Sequence, residues 1–143
     1  MKVLIAHPGT QYSHQLVKQL EKQGLLYRFY TGIAIAEYSF FYRLLRFLPN
    51  AIQKKISNRV IENVPSNKIK NAFFIEWKAL RLLKNGQDSE TVFYDRNKQF
   101  QEQIPDAAIL ASDVVIGFDT SSWILIKRCK RLGKKFILDV SIA

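Results

Sequence analysis

Two histidines, the only ones in the chain, stand at either end of one short loop that follows the first apolar run. An imidazole titrates near neutral pH, so His7 or His14 could act as a general acid or hydrogen-bond a substrate. Between them, Gly9 would let a ligand approach the backbone, and Thr10 or Ser13 could cap a helix or donate to a phosphate. Histidines that only pack in the core or face solvent, with no role in binding or catalysis, would give the same sequence pattern. A zinc site is not expected, because no Cys/His pair is present to complete one.

A second loop with the same mixture of small and polar groups follows another apolar run, DVVIG. It contains Asp119, Thr120 and Ser121, and a third loop begins at Ser141. Taken singly, these are ordinary helix-capping residues. The carboxyl ends of parallel strands meet at one edge of a sheet, however, and open α/β folds bind ligands there. The joint pattern therefore predicts a ligand site built from the three loops, with His7 and Asp119 as candidates for catalysis.

Short apolar runs alternate with helical patterns at both ends of the chain, which favours a parallel sheet with right-handed crossovers. Strands are predicted at 2–6, 25–31, 113–117 and 135–140, the last as another buried strand. Helices are predicted at 12–23, 36–48, 51–61, 71–84, 89–103 and 123–132. Gly24 and Gly133 stand where helix C-caps are needed. The expected fold class is therefore α/β, with helices flanking a parallel sheet.

Positive charge dominates the chain and is concentrated in its first 60 residues. The 22 Lys and Arg residues outnumber the 12 Asp and Glu residues, which gives a net charge of +10 at pH 7. In residues 1–60 the only acidic residues are Glu21 and Glu37. Such an excess favours an anionic partner: nucleic acid, a phospholipid surface or a phosphorylated substrate. Nucleic acid is disfavoured, because no known binding motif accompanies the charge.

Several other classes are disfavoured by what the sequence lacks. Its single cysteine, Cys129, cannot form an internal disulfide and is expected to be a structural thiol. No apolar run approaches the ~20 residues that a membrane-spanning helix needs, and no signal peptide is recognisable. The sequence contains no GxGxxG, no GxxxxGK[ST] and no GxSxG motif, so the common phosphate-binding loops and the hydrolase nucleophile elbow are not expected.

An aromatic stretch backed by basic residues runs from Tyr38 to Arg59. Helical spacing places Phe41, Leu44 and Leu48 on one face and arginines on the other. A helix of this kind suits an anionic membrane interface, but a helix that covers the sheet or a partner domain fits as well. The residues expected at a membrane are Phe40, Phe41, Arg43, Arg46, Phe47, Lys54, Lys55 and Arg59.

The two end segments, MKVLIAHPGTQYSHQL and DVVIGFDTSSWILIKRCKRLGKKFILDVS, together resemble the N-terminal, acceptor-side domain of GT-B glycosyltransferases close to family 4. The resemblance covers nearly the whole chain and implies one Rossmann-like domain over residues 1–143. It implies that the first loop approaches the donor diphosphate and the acceptor, that the second lines the acceptor side, and that the stretch 38–59 docks on a membrane. The matching loop positions are His7, Gly9, Thr10, Asp119, Thr120 and Ser121.

The implied function is retaining transfer of a sugar from a nucleotide-sugar to a glycan or lipid-linked acceptor. The family's C-terminal domain, which holds the nucleotide-sugar, has no counterpart in residues 1–143, so we expect the chain alone to be inactive. No metal and no resident cofactor are implied. The expected location is cytoplasmic, with peripheral attachment to the inner face of the membrane, and nucleic acid is not expected as a partner. The alternative function is a non-catalytic α/β module that binds an anionic membrane surface or a protein partner.

Overall fold

A computed structural model describes residues 1–9 and 12–140, with Lys55 described by its backbone alone. The predicted site residue Thr10 and the loop from Ser141 lie outside the described residues. The strands are β1 (Val3–His7), β2 (Leu26–Thr31), β3 (Ile35–Ala36), β4 (Val60–Ile61), β5 (Ile69–Asn71), β6 (Val114–Phe118) and β7 (Lys135–Asp139). The helices are α1 (Ser13–Lys22), α2 (Phe40–Leu45), α3 (Asn50–Ser57), α4 (Phe73–Lys84), α5 (Ser89–Glu102), α6 (Asp106–Ala111) and α7 (Trp123–Arg131).

Five of these strands form one parallel sheet in the order β5-β2-β1-β6-β7. Ile5 of β1 lies opposite Phe29 of β2 on one side and Ile116 of β6 on the other. The short strands β3 and β4 form a separate two-stranded parallel sheet. The described chain is thus α/β, with a Rossmann-like parallel sheet flanked by helices, as the alternating pattern predicts.

The central strand β1 is buried on both faces. Its side chains alternate between two hydrophobic cores, with Ile5 packed into the core that contains Phe29 and Leu4 into the core that contains Phe100. All four side chains are fully buried, and burial of each contributes roughly 1.5–3 kcal/mol. This packing explains why the strand is a continuous apolar run without polar alternation. It also fixes the position of His7, the last residue of β1.

Strand β7 corrects one prediction, because it is an edge strand rather than a buried one. Ile137 is 53% exposed and Leu138 is 42% exposed. Within the described residues β7 pairs only with β6, so its other edge has no strand beside it. The prediction of a strand at 135–140 is confirmed and the prediction of its burial is wrong.

The aromatic stretch forms shorter helices than predicted, because backbone at both ends of the stretch pairs as strands. Ile35 of β3 lies opposite Val60 of β4, in regions predicted to adjoin or belong to helices. Tyr38 then takes a left-handed conformation with φ of 66°. Helix α2 begins after Ser39, whose Oγ accepts the backbone N–H of Tyr42 at 3.2 Å. The predicted helices at 36–48 and 51–61 are therefore confirmed only over their central residues.

Helix α4 confirms the predicted helix at 71–84, but its apolar stripe points away from the core. Phe73 and Trp77, which recur at helical spacing, are 53% and 51% exposed. The side of α4 that packs inward carries Ala79 and the charged residue Glu76. This orientation is opposite to that of an ordinary amphipathic surface helix, whose apolar stripe faces the core.

Candidate functional site

The loops that follow β1 and β2 touch at the carboxyl edge of the sheet. The backbone N–H of Gly32, directly after β2, donates to the carbonyl of Pro8, directly after β1, at 3.2 Å. A Cβ at Gly32 would lie 2.5 Å from the same carbonyl oxygen, so the approach requires glycine there. The two loops are therefore fixed against each other, beside the end of β6.

Buried polar side chains without hydrogen-bond partners gather at this edge. Among the described residues they are His7 (both ring nitrogens), His14 (Nε2), Thr31, Ser121 and Ser122. Four of the five lie at or just after the carboxyl ends of β1, β2 and β6, and His14 lies in the first turn of α1. A buried polar group left unsatisfied costs about 1–3 kcal/mol, and native proteins normally pair such groups with protein, water or ligand. Their concentration makes this sheet edge the candidate site for a polar ligand.

His7 is held as a neutral imidazole. Burial, together with a smaller effect of the positive charge of Arg96, lowers its pKa from 6.5 to about 4, while the charge of Asp119 acts in the opposite direction. The imidazole ring packs against Phe118, with ring centroids 4.4 Å apart. At pH 7 its two nitrogens therefore offer one hydrogen-bond donor and one acceptor.

His14 is also neutral, for a related reason. Burial lowers its pKa to about 4, and the charge of Arg59 adds to the effect. Its ring meets the edge of Phe29 at a centroid distance of 5.9 Å, so it packs on the core beneath the loop. The two histidines lie close enough for His14 to contribute to the lowered pKa of His7. The structure thus brings together the pair that the sequence singles out.

The side chain of His7 leaves little room for a Cβ at Gly9. A Cβ at this position would lie 2.8 Å from Nε2 of His7, so a larger residue would displace the imidazole. Ser13 donates from Oγ to the carbonyl of Gly9 at 3.5 Å, which ties the loop to the start of α1. The prediction that Gly9 admits a ligand stays a prediction, while its contact with His7 is a role that the sequence did not indicate.

The three predicted site residues in the loop after β6 differ in their contacts and burial. Asp119 is exposed and accepts the backbone N–H of Thr120 through Oδ1 at 2.8 Å, which is a local capping bond. The carbonyl of Thr120 accepts from Nδ2 of Asn97 at 2.8 Å, while the Thr120 side chain faces outward. Ser121 is buried at the site. Asp119 therefore acts on His7 through its charge, and Ser121 adds a hydroxyl to the cluster.

A buried ion pair beside the site was not predicted from the sequence. Arg96 of α5 donates to Oε2 of Glu76 on α4 at 3.1 Å, and both side chains are largely buried. This arginine is the charge that bears on His7. Sequence patterns assign charged helix residues to solvent, and the apolar stripe of α4 would itself place Glu76 on the outer face, so no signal in the sequence indicated this ion pair.

The predicted membrane stretch is exposed over most of its aromatic residues. Phe40 is 72% exposed, Phe41 is 71% exposed and Phe47 is 87% exposed. The cations Arg43, Arg46 and Lys54 are exposed as well. Arg59 is half-buried and donates to the carbonyl of Ile33 at 3.5 Å. Within the described chain, no helix has the length and apolar character needed to cross a membrane.

The described residues contain neither a readily ionised thiol nor a group of potential metal ligands. Burial raises the pKa of the Cys129 thiol to about 11, so this side chain is a neutral thiol within the core. In the described part of the chain, no three His, Cys, Asp or Glu side chains are grouped so that they could hold a metal ion. The polar groups in the buried cluster are imidazoles and hydroxyls, and the carboxylate of Asp119 lies nearby.

No protein-family model matches the chain, and neither does any curated protein.

Proposed function

We propose that this chain is the acceptor-side domain of a nucleotide-sugar-dependent glycosyltransferase, with the acceptor bound at the carboxyl edge of the five-stranded sheet. The observation that carries the proposal is the cluster of unpartnered buried polar groups at the ends of β1, β2 and β6. A sugar presents several hydroxyls, each able to donate and accept. Imidazole and serine or threonine hydroxyls, which also do both, are suitable partners for such a ligand.

In this proposal His7 is the group that acts on the reacting hydroxyl. Its imidazole is neutral because burial keeps its pKa at about 4, so one nitrogen is free to accept a proton or a hydrogen bond. The negative charge of Asp119 would stabilise the imidazolium formed if His7 accepted that proton. The donor nucleotide-sugar would be held by a second domain, whether joined to this chain or supplied by another polypeptide. The resemblance of the two end segments to family 4 enzymes supports the same assignment.

The proposal is tested in cells from which the gene has been deleted. The complete gene, as wild type or as a variant, is reintroduced into these cells. Incorporation from radiolabelled UDP-, GDP- and dTDP-sugars is then measured in the lipid and glycan fractions of their extracts. Wild type should restore incorporation from one donor, and His7→Gln should abolish it while circular dichroism stays unchanged. As a matched pair, Asp119→Ala should reduce transfer and Asp95→Ala, an exposed position on α5, should not. The proposal is contradicted if none of the donors supports transfer that depends on the gene.

A second candidate function is a non-catalytic module that binds an anionic membrane surface. The observation that favours it is the exposure of Phe40, Phe41 and Phe47 beside Arg43 and Arg46. Aromatic rings partition into the interface while the arginines face anionic headgroups. Binding of the chain to anionic vesicles, together with glycosyl transfer that is the same with and without the gene, would favour this function over the first.

A further inference from the structure

A cavity of about 540 Å³ lies beneath α2, outside the site described above. Its volume falls in the range of about 300–1,000 Å³ that is usual for small-molecule sites. The lining is mainly apolar and comes from α2, β3, β5 and the residues beside them; it includes Ala34, Phe41, Leu44, Leu45, Ile69 and Phe73. An apolar cavity of this size would hold hydrocarbon in preference to water.

The walls of the cavity are fixed by polar side chains that are already hydrogen-bonded to backbone. Asn71 donates from Nδ2 to the carbonyl of Ala34 at 2.9 Å and accepts the Ala34 N–H through Oδ1 at 2.8 Å. Ser39 uses its hydroxyl oxygen to cap α2. Both residues line the cavity, so their polar groups serve its shape more than a ligand.

Positive charge lies beside one lining residue of the cavity, close to the carboxyl edge of the sheet. Arg59 donates to the carbonyl of Ile33, which is itself a lining residue. The same guanidinium lowers the pKa of His14 in the polar cluster, so it lies near both features. Thr31, another member of that cluster, precedes Ile33 by two positions. Arg43 adds an exposed cation on α2.

We propose that this cavity holds the hydrocarbon chain of an anionic membrane lipid, with the lipid phosphate against Arg59. A long alkyl or isoprenoid chain needs an apolar surface to cover it, and the phosphate that heads it needs a cation nearby. Ile33 lines the apolar cavity, and its carbonyl accepts a hydrogen bond from Arg59. The binding of a lipid does not depend on the proposed function; only its role does, since under the proposed function this lipid would be part of a lipid-linked sugar acceptor.

Binding of monoalkyl phosphates to the chain tests the proposal by calorimetry, with each ligand kept below its micelle concentration. Octyl, decyl and dodecyl phosphate should bind with affinities that rise about fifteenfold for each pair of methylene groups buried. Inorganic phosphate should show no measurable binding, which separates a lipid from a free anion as the ligand. Affinity that does not depend on chain length, or no binding of any alkyl phosphate, overturns the proposal; the latter result is expected if a partner protein fills the cavity.

Two adjacent phenylalanines provide a matched pair of variants. Phe41 lines the cavity and Phe40 does not, although both are about equally exposed and their rings lie 6.2 Å apart. Phe41→Ala should weaken decyl phosphate binding by about tenfold, while Phe40→Ala should leave it unchanged. Both substitutions remove mostly exposed side chains, and circular dichroism checks the fold. Equal weakening by the two would place the chain on the outer surface and overturn the cavity as its site.

Arg59→Gln tests the position of the phosphate. This variant should weaken decyl phosphate by about tenfold or more and leave decanol unchanged, because only the former carries a charge for the guanidinium. An equal effect on both ligands, or none on either, overturns that placement. None of these measurements involves a nucleotide-sugar or transfer. Failure of the lipid proposal therefore leaves the proposed function untouched, and failure of the transfer assay leaves the lipid site untouched.

Discussion

Protonation of the two buried histidines should make the chain lose stability as the pH falls from 7 to 5. Both groups have a pKa of about 4 in the folded chain, against 6.5 for an unperturbed imidazole. The unfolded chain therefore binds more protons than the folded chain between these values. Linkage then requires the contribution of the histidines to the free energy of unfolding to fall as pH decreases through this window and to level off below about pH 4.

The magnitude follows from the two pKa values. At pH 5 an imidazole with pKa 6.5 when unfolded and about 4 when folded lowers the free energy of unfolding by about 2 kcal/mol. Two such groups give about 4 kcal/mol together, a large part of the stability of an ordinary domain. The carboxyl groups of Glu62, Asp88 and Asp106 also have lowered pKa values, each because of a hydrogen bond that it accepts. Their contribution is lost from about pH 5 downward, so it does not enter the change measured between pH 7 and pH 5.

Urea unfolding at several pH values measures how the free energy of unfolding depends on pH. The single variants His7→Gln and His14→Gln separate the contributions of the two histidines. Each variant should lose about half of the change between pH 7 and pH 5, whatever its stability at pH 7. Proton NMR checks the cause directly, because the chain has only two histidines and hence two imidazole Cε1–H signals to follow. Both should titrate near pH 4 in the folded chain and near pH 6.5 in urea. A folded-state midpoint near 6.5 for either signal would refute the reasoning, because it would mean that the imidazole is open to water.

Four other predictions concern binding, catalysis and packing. The chain alone should bind UDP- and GDP-sugars weakly or not at all, and micromolar affinity in calorimetry would contradict its assignment to the acceptor side. Asp119→Ala in the complete gene product should lower turnover without changing the circular dichroism spectrum; wild-type activity would mean that the loop is structural only. Charge reversal at Arg43 and Arg46 should weaken co-sedimentation with phosphatidylglycerol vesicles, where each cation contributes about 1 kcal/mol, and equal binding of the wild type to neutral vesicles would remove the membrane hypothesis. Gly117→Ala should destabilise the fold by about 1–3 kcal/mol in urea unfolding, since its Cβ would overlap Ser122 and lie 2.6 Å from Cζ of Phe136; unchanged stability would show that β6 can shift.

The sequence by itself determined the central architecture of this protein. The segments at 2–6, 25–31 and 113–117 each became a strand of the parallel sheet. For β1 the reason is that a strand buried on both faces needs only a continuous apolar segment. Gly24 and Gly133 took left-handed conformations with φ of 69° and 65°, as local helix termination requires. Parallel pairing then brings the carboxyl ends of β1 and β6 together. The grouping of His7 with the loop of Asp119 could therefore be predicted without coordinates.

Only the tertiary structure decided which side chains are buried beyond those strands. Glu76 points inward and Phe73 outward because Arg96, twenty residues further along the chain, supplies the partner that a buried carboxylate needs. The short strands β3 and β4 exist because Ile35 meets Val60 in space, although neither segment is long enough to signal a strand locally. The cavity beneath α2 likewise depends on residues from several elements. Local patterns fix local conformation, whereas burial and pairing depend on neighbours that are distant in sequence, and the chain must fold before those neighbours meet.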